Sequence, residues 1–460
     1  MKRIKNIHTT LFFVLAIFYM SCELTDVTEI EPLYQVDDQS VITNLDQAQS
    51  ALYGTYGILL DGLDIIVLTP GIASAMGLSM QAGLAGGRTI APFHNNEVST
   101  DHGYLSSIYR KMYFIINNAN HVISKTNDLD VEDVQRKNEI ISEARTLRAM
   151  MHFYLLRFWG EFFDEDSQYG IVLKDEPITG ADVQARASVA ATYDSILEDL
   201  DFAIENGPVF NNTFYTSKLY AKALKSKVLL YQKSYSEAAQ LALEVINSGK
   251  TSLEDTFEEI FSKKIFDTKE VIFQSPFDNA NDRNNKAFMF RFFFRPSDYY
   301  LDFMGDDSRK NISIIHTPTR ITANGKFNGS TFNGERLTAD TEYFFRLAEV
   351  YLIYAEAVLR GDDDLDEALW AVNKIRERSQ NSPLNISDKG ELIAAIRVEK
   401  LLELGAESGE DWFDLVRYHK EGDININDFK TLSSDSRLIL PFPQQTVELS
   451  EGVVLQNPEY

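Results

Sequence analysis

Residues 217–249, SKLYAKALKSKVLLYQKSYSEAAQLALEVINSG, decide the fold. Leu219, Ala223, Leu224, Val228 and Tyr231 recur at three- and four-residue spacing, which predicts one apolar stripe on a first helix. A turn comes next, around residues 233–236. Ala238, Ala239, Ala242 and Val245 then mark a second helix, and Gly249 supplies a stop. Small alanines at the helix–helix contact let two backbones approach. The length and pattern are those of a tetratricopeptide-like helical hairpin.

The same logic predicts a second hairpin over 342–380. Leu347, Val350, Tyr351, Tyr354, Ala355 and Val358 line its first helix, and Ala368, Ala371, Val372 and Ile375 its second. Asp364, with Glu367 three residues on, has the form of a capping box. The run Asp362-Asp363-Asp364 lacks the alternating ligands and later Glu of a calcium loop, so it reads as a solvated turn. Further helices are expected over 138–160, 194–205, 45–60 and 106–125. Two stretches, about 61–104 and 251–340, show no sustained period and read as loop-rich inserts that could build a site. The fold class is therefore mainly all-α: a tetratricopeptide-like scaffold with long inserts and minor β structure.

The N-terminus has the form of a lipoprotein leader. Lys2, Arg3 and Lys5 precede LFFVLAIFYM at 11–20, an apolar run too short to span a bilayer. Ser21 then precedes Cys22, the only cysteine in the chain. It has no disulfide or metal partner of its own kind. Its position is the one at which a lipobox thiol is acylated, so residues 1–21 are expected to be a signal peptide and Cys22 a lipid anchor of the palmitate type. The acidic stretch after it (Glu23, Asp26, Glu29, Glu31) suits a tether.

The chain carries 44 Lys and Arg against 69 Asp and Glu, a formal net charge of −25. Such a surface repels phosphate backbones, which argues against nucleic acid as a partner. There is no GxGxxG, no P-loop, no HExxH and no GxSxG. The seven histidines are scattered, with His152 inside an apolar helical block and His94 and His102 sharing an insert without a third ligand. No metal, cofactor or catalytic set is expected.

Several blocks, in order, resemble the SusD/RagB family. Residues 109–123 (YRKMYFIINNANHVI, with Ala119-Asn120) and 143–160 (EARTLRAMMHFYLLRFWG, with Leu147-Arg148-Ala149) are similar to two of its helices. Arg346-Leu347-Ala348-Glu349, Tyr354-Ala355-Glu356-Ala357 and Asn373 to Arg378 resemble a third block. Asp307-Ser308-Arg309 and the tail LPFPQQTVELSEGVVLQNPEY complete the match. Lys400 and Asp411 stand where the family usually has arginine, so an ion-pair network is expected to be rewired.

The resemblance implies a non-enzymatic lipoprotein on the outer membrane that faces the cell surface. It would capture glycan, or peptide, and pair with a SusC-like TonB-dependent outer-membrane barrel. A periplasm-facing tetratricopeptide lipoprotein and an α-helical glycosidase are the alternatives. Sugar recognition uses aromatic faces, amides and charged groups. The inserts offer Phe93, Asn95, Asn96, Asp101 and Tyr104, and Arg291, Arg295, Tyr299 and Tyr300, as candidate ligand contacts. Trp159, Trp370 and Trp412 fall on scaffold helices and read as core.

Overall fold

Asn44 opens the first helix, α1 (Leu45–Leu60), by accepting the Gln47 N–H on its side chain. The computed structural model describes residues 42–460 except 179, 181–182, 263, 265–267, 277–283, 317–321, 329–330, 333–334 and 337–338. The expected leader, Cys22 and the acidic tether lie outside the described residues. One unit, Asn44–Tyr460, holds all the elements named below.

After α1 comes the first insert. It is not the loop expected from the sequence. A π-helical turn (Asp64–Leu68) runs into α2 (Thr69–Met76), β1 (Met80–Ala82) and α3 (Gly87–His94). Every residue of α2 is buried. A helix covered on all sides has no polar face, so no 3.6-residue period marks it.

The scaffold resumes with α4 (Gly103–Asn127), α5 (Val134–Trp159), α6 (Val189–Asn206), α7 (Lys218–Tyr231) and α8 (Tyr235–Ile246). Asp133, Ser188 and Ser217 cap α5, α6 and α7 by accepting the third N–H of each helix. Consecutive helices pack pairwise along the array. The alanine face of α8 is buried as expected.

The second insert holds α9 (Phe257–Ser262), β2 (Val271–Gln274), α10 (Lys286–Phe292), β3 (Phe294–Pro296), α11 (Asp298–Phe303), α12 (Lys310–Ser313), β4 (Ile314–His316), β5 (Thr322–Asn324), β6 (Thr331–Phe332), β7 (Glu335–Arg336) and β8 (Tyr343–Arg346). The strands form two-stranded antiparallel pairs: β1 with β3, β2 with β8, β4 with β5, β6 with β7. The second hairpin therefore begins as strand β8 and turns helical only at α13 (Leu347–Gly361), before α14 (Leu365–Arg378). α13 packs on α8, joining the two hairpins. Asp364 caps α14 through the Glu367 N–H. The Glu367 carboxylate does not complete a capping box, because it accepts the Tyr354 hydroxyl instead. α15 (Lys389–Leu404), α16 (Glu410–Lys420) and α17 (Gln444–Leu449) close the fold.

Paired charges are buried in this largely helical core. Arg148 clamps Asp199 with two 2.7 Å bonds and also donates to Asn120. Glu403 is met by Arg309, Arg346 and Arg378, which hold it well below the usual carboxylate range despite burial. Lys400 reaches Glu356 and Asp414, which Arg417 also binds. Isolated buried charges would be very unfavourable, so the networks must form together with the packing. His152 is fully buried, with its imidazole pushed down to about 3 by desolvation. Trp159 and Trp412 are core residues as expected. Trp370 is not: it is 38% exposed and leans on Tyr351 and Tyr354.

Candidate ligand-binding cleft

The two inserts meet, and their junction makes the cleft. β1 and β3 pair with Met80 opposite Pro296 and Gln81 opposite Arg295. The Ser297 N–H donates to the Ser79 carbonyl at 3.0 Å, and the Ser297 hydroxyl to the Leu78 carbonyl. α16 holds the first insert from below. Gly409 adopts φ +79°, and a Cβ there would lie 2.1 Å from the Ala73 Cβ. Two residues on, Asp411 accepts the N–H groups of Leu78 and Ser79 at 2.7 and 2.8 Å. An arginine at 411 could not accept these bonds, so Asp411 acts as a backbone anchor.

A third segment, 429–431, forms the remaining wall. The Lys430 ammonium donates to the carbonyls of Ala75, Met76, Gly77 and His94. It thus caps the C-termini of α2 and α3 together, where the helix dipoles favour a cation. Burial pulls its pKa down to about 7, opposed by Asp411.

These walls enclose a cleft of about 450 Å³, lined among others by Gln81, Asn95, Asp298, Tyr299, Phe429 and Lys430. Tyr299 is 38% exposed and stacks on Phe303, with centroids 5.8 Å apart and planes 16° apart. Phe429 meets Tyr299 edge-on at 6.5 Å. Arg295 donates to Asp298 at 3.0 Å and holds that carboxyl below its usual range. His94 also lines the cleft, and burial lowers its pKa, assisted by Lys430 and Arg295. An aromatic face with amide and charged groups around it is the surface a sugar ring fits.

The sequence candidates divide sharply. Asn95 and Tyr299 line the cleft, and Arg295 acts on it through Asp298. Phe93 and Tyr300 are both fully buried, a correction to their reading as contact residues. Phe93 packs on His102, and Tyr300 lies against Gly405. Neighbours in sequence, Tyr299 and Tyr300 sit in helix α11 and so point in different directions. Asn96 is buried at φ 55°. Asp101 is exposed and bonds Ser99, and Tyr104 lies in the first turn of α4; neither lines the cleft. Arg291 donates to Asn328. Sequence reasoning missed Gln81, Asp298, Phe429 and Lys430, which come together only through the β1–β3 pairing and the Lys430 cap.

Among the described residues no group of three or more His, Cys, Asp or Glu is placed to hold a metal ion. No single described helix is long and apolar enough to cross a membrane.

The same architecture is found in known proteins. A sequence model of the SusD family matches residues 302–460, and one described as "Starch-binding associating with outer membrane" matches 88–230. This chain belongs to the SusD/RagB family. A SusD-like protein of Formosa agariphila is 23% identical, with 98% of this chain and 99% of the relative aligned. A SusD superfamily structure from Bacteroides thetaiotaomicron superposes with a TM-score of 0.79 at 22% identity, covering 91% of this chain and 100% of the other. A laminarin-binding SusD-like protein gives a TM-score of 0.77 at 22% identity, with 91% of this chain and 100% of that one covered. At these identities the structural likeness speaks for the SusD fold.

Proposed function

We propose that this chain captures a glycan in the cleft between its two inserts and passes it, unaltered, to a SusC-like TonB-dependent barrel. The observation that carries this reading is Tyr299. It is a half-exposed ring braced by Phe303, at the mouth of a cleft that also presents Gln81, Asn95 and Asp298. A pyranose lays its apolar face on such a ring and its hydroxyls against the polar rim. The laminarin-binding relative and the starch-binding description of the matched family model both support glycan as the cargo.

Anchoring rests on the sequence. Residues 1–21 act as a leader, Cys22 carries the lipid, and 22–460 is the mature protein. The outer-membrane wording of the family model supports that location. Facing the cell surface, rather than the periplasm, suits a protein that collects material before import.

Calorimetric titration with neutral and charged oligosaccharides tests the capture step, with product analysis as a control. Saturable binding without cleavage, weakened at least about tenfold by Tyr299→Ala, is expected. Sugar release would support a glycosidase instead. Loss of membrane fractionation in Cys22→Ser, and cleavage of the wild type when intact cells are treated with protease, test anchor and orientation.

A further inference from the structure

Arg397, on α15, does not line the cleft itself but a small recess that shares Leu78 with it, and its guanidinium carbon lies 4.8 Å from the centroid of Phe429, a ring that walls the cleft. It also acts electrostatically on Tyr299. Its Nε is buried without a hydrogen-bond partner. Unlike Arg148, Arg309, Arg346 and Arg417, which all grip carboxylates, it has no ion pair among the described residues. That is notable in a chain with 69 acidic residues. Asp411 and Asp414 share a small recess with Arg397, but both are engaged elsewhere. Asp411 takes two backbone N–H groups, and Asp414 takes Lys400 and Arg417.

Asp298 is taken by Arg295. Asp411 binds those two N–H groups through Oδ2 and keeps Oδ1 buried without a partner, yet it forms no ion pair with Arg397. Arg397 is thus a cation beside the aromatic wall that no described carboxylate pairs. The guanidinium lies over the Phe429 ring, and its donors have no partner among the described residues, which leaves them for a carboxylate or sulfate acceptor.

We propose that the cleft selects acidic sugars: Arg397 receives a uronate carboxylate or a sulfate ester while Tyr299 and Phe429 pack against the ring. This rests on the capture function proposed for the same cleft and names its substrate class. The two anionic groups share the same chemistry of planar or tripodal oxygen acceptors for an arginine.

The test is titration of the purified protein with three oligosaccharides of matched length: neutral, uronate-containing and sulfated. It is done at about 50 mM and about 500 mM NaCl, since screening separates charge from stacking. At least one acidic ligand is expected to bind about tenfold tighter than the neutral one at low salt. That advantage should shrink at high salt, vanish in Arg397→Gln and survive in part in Arg397→Lys. The arm that shows it identifies carboxylate or sulfate as the acceptor. Melting curves of both variants should match wild type, which separates lost recognition from lost folding. Equal or tighter binding of the neutral ligand, or an acidic preference unchanged in Arg397→Gln, overturns the inference while leaving capture standing. Failure to bind all three overturns both.

Discussion

The Asp411 carboxylate accepts the Leu78 N–H at 2.7 Å and so fixes the first insert to scaffold helix α16. Burial raises this carboxyl from 3.8 to about 6, against the opposing pull of its backbone donors and Lys430. The folded state therefore keeps a proton that the unfolded state releases between those values. Its contribution to stability falls as pH rises from about 4 to about 6. Asp411→Asn removes the titration. Thermal melts should show the difference between variant and wild type moving in the variant's favour across that window, and further near pH 7, where Lys430, whose pKa Asp411 raises, loses its proton. A difference that does not change with pH would show that Asp411 is not held as described.

Gly409 secures the same junction by shape. A side chain there faces both a positive φ and a Cβ placed 2.1 Å from that of Ala73. Gly409→Val should lose about 2–4 kcal/mol of stability in chemical denaturation. Adding Ala73→Gly should recover part of it. A loss below about 0.5 kcal/mol would mean that the contact relaxes freely.

Arg148 and Asp199 are both nearly inaccessible and bind each other through two 2.7 Å bonds. Asp199→Ala leaves the guanidinium buried with only Asn120 and the Asp175 carbonyl as partners. A loss of about 3–5 kcal/mol is expected, measured by urea unfolding. The double change Arg148→Met with Asp199→Leu should be milder than Asp199→Ala alone. If it is worse, the pair is worth more than its replacement by apolar packing.

Tyr299 and Tyr300 should fail in opposite ways. Tyr299→Ala is expected to keep its melting temperature and lose glycan affinity. Tyr300 is fully buried, so Tyr300→Ala should lower stability by about 3–5 kcal/mol, as other large aromatic truncations do. Paired melts and titrations on the two variants check this. Matching profiles would contradict the assignment of one to the cleft and the other to the core.

Periodicity governs how much of the fold was legible in the sequence. α8 and α14 each have one wet face, and α7 a half-buried strip at Lys218, Lys222 and Lys225, and their stripes predicted them. α2 is buried all round and left no stripe, so its stretch looked like loop. Strand β8 hid inside the expected first helix of the second hairpin because Tyr343-Phe344-Phe345 is apolar without alternation. Residue type pointed to aromatic and amide contacts in the inserts, and Asn95 and Tyr299 do line the cleft. It could not separate Tyr299 from Tyr300, since only the start of α11 at Asp298 sets which ring faces out. Phe429 and Lys430 lie more than 300 positions from the α2 and α3 carbonyls that Lys430 caps, a distance no local pattern bridges.

A crystal structure of the protein with a bound oligosaccharide is the decisive measurement. A sugar ring is expected on the exposed face of Tyr299, with hydroxyls reaching Gln81, Asn95 or Asp298. A saccharide held elsewhere, with Tyr299 still facing solvent, would contradict it.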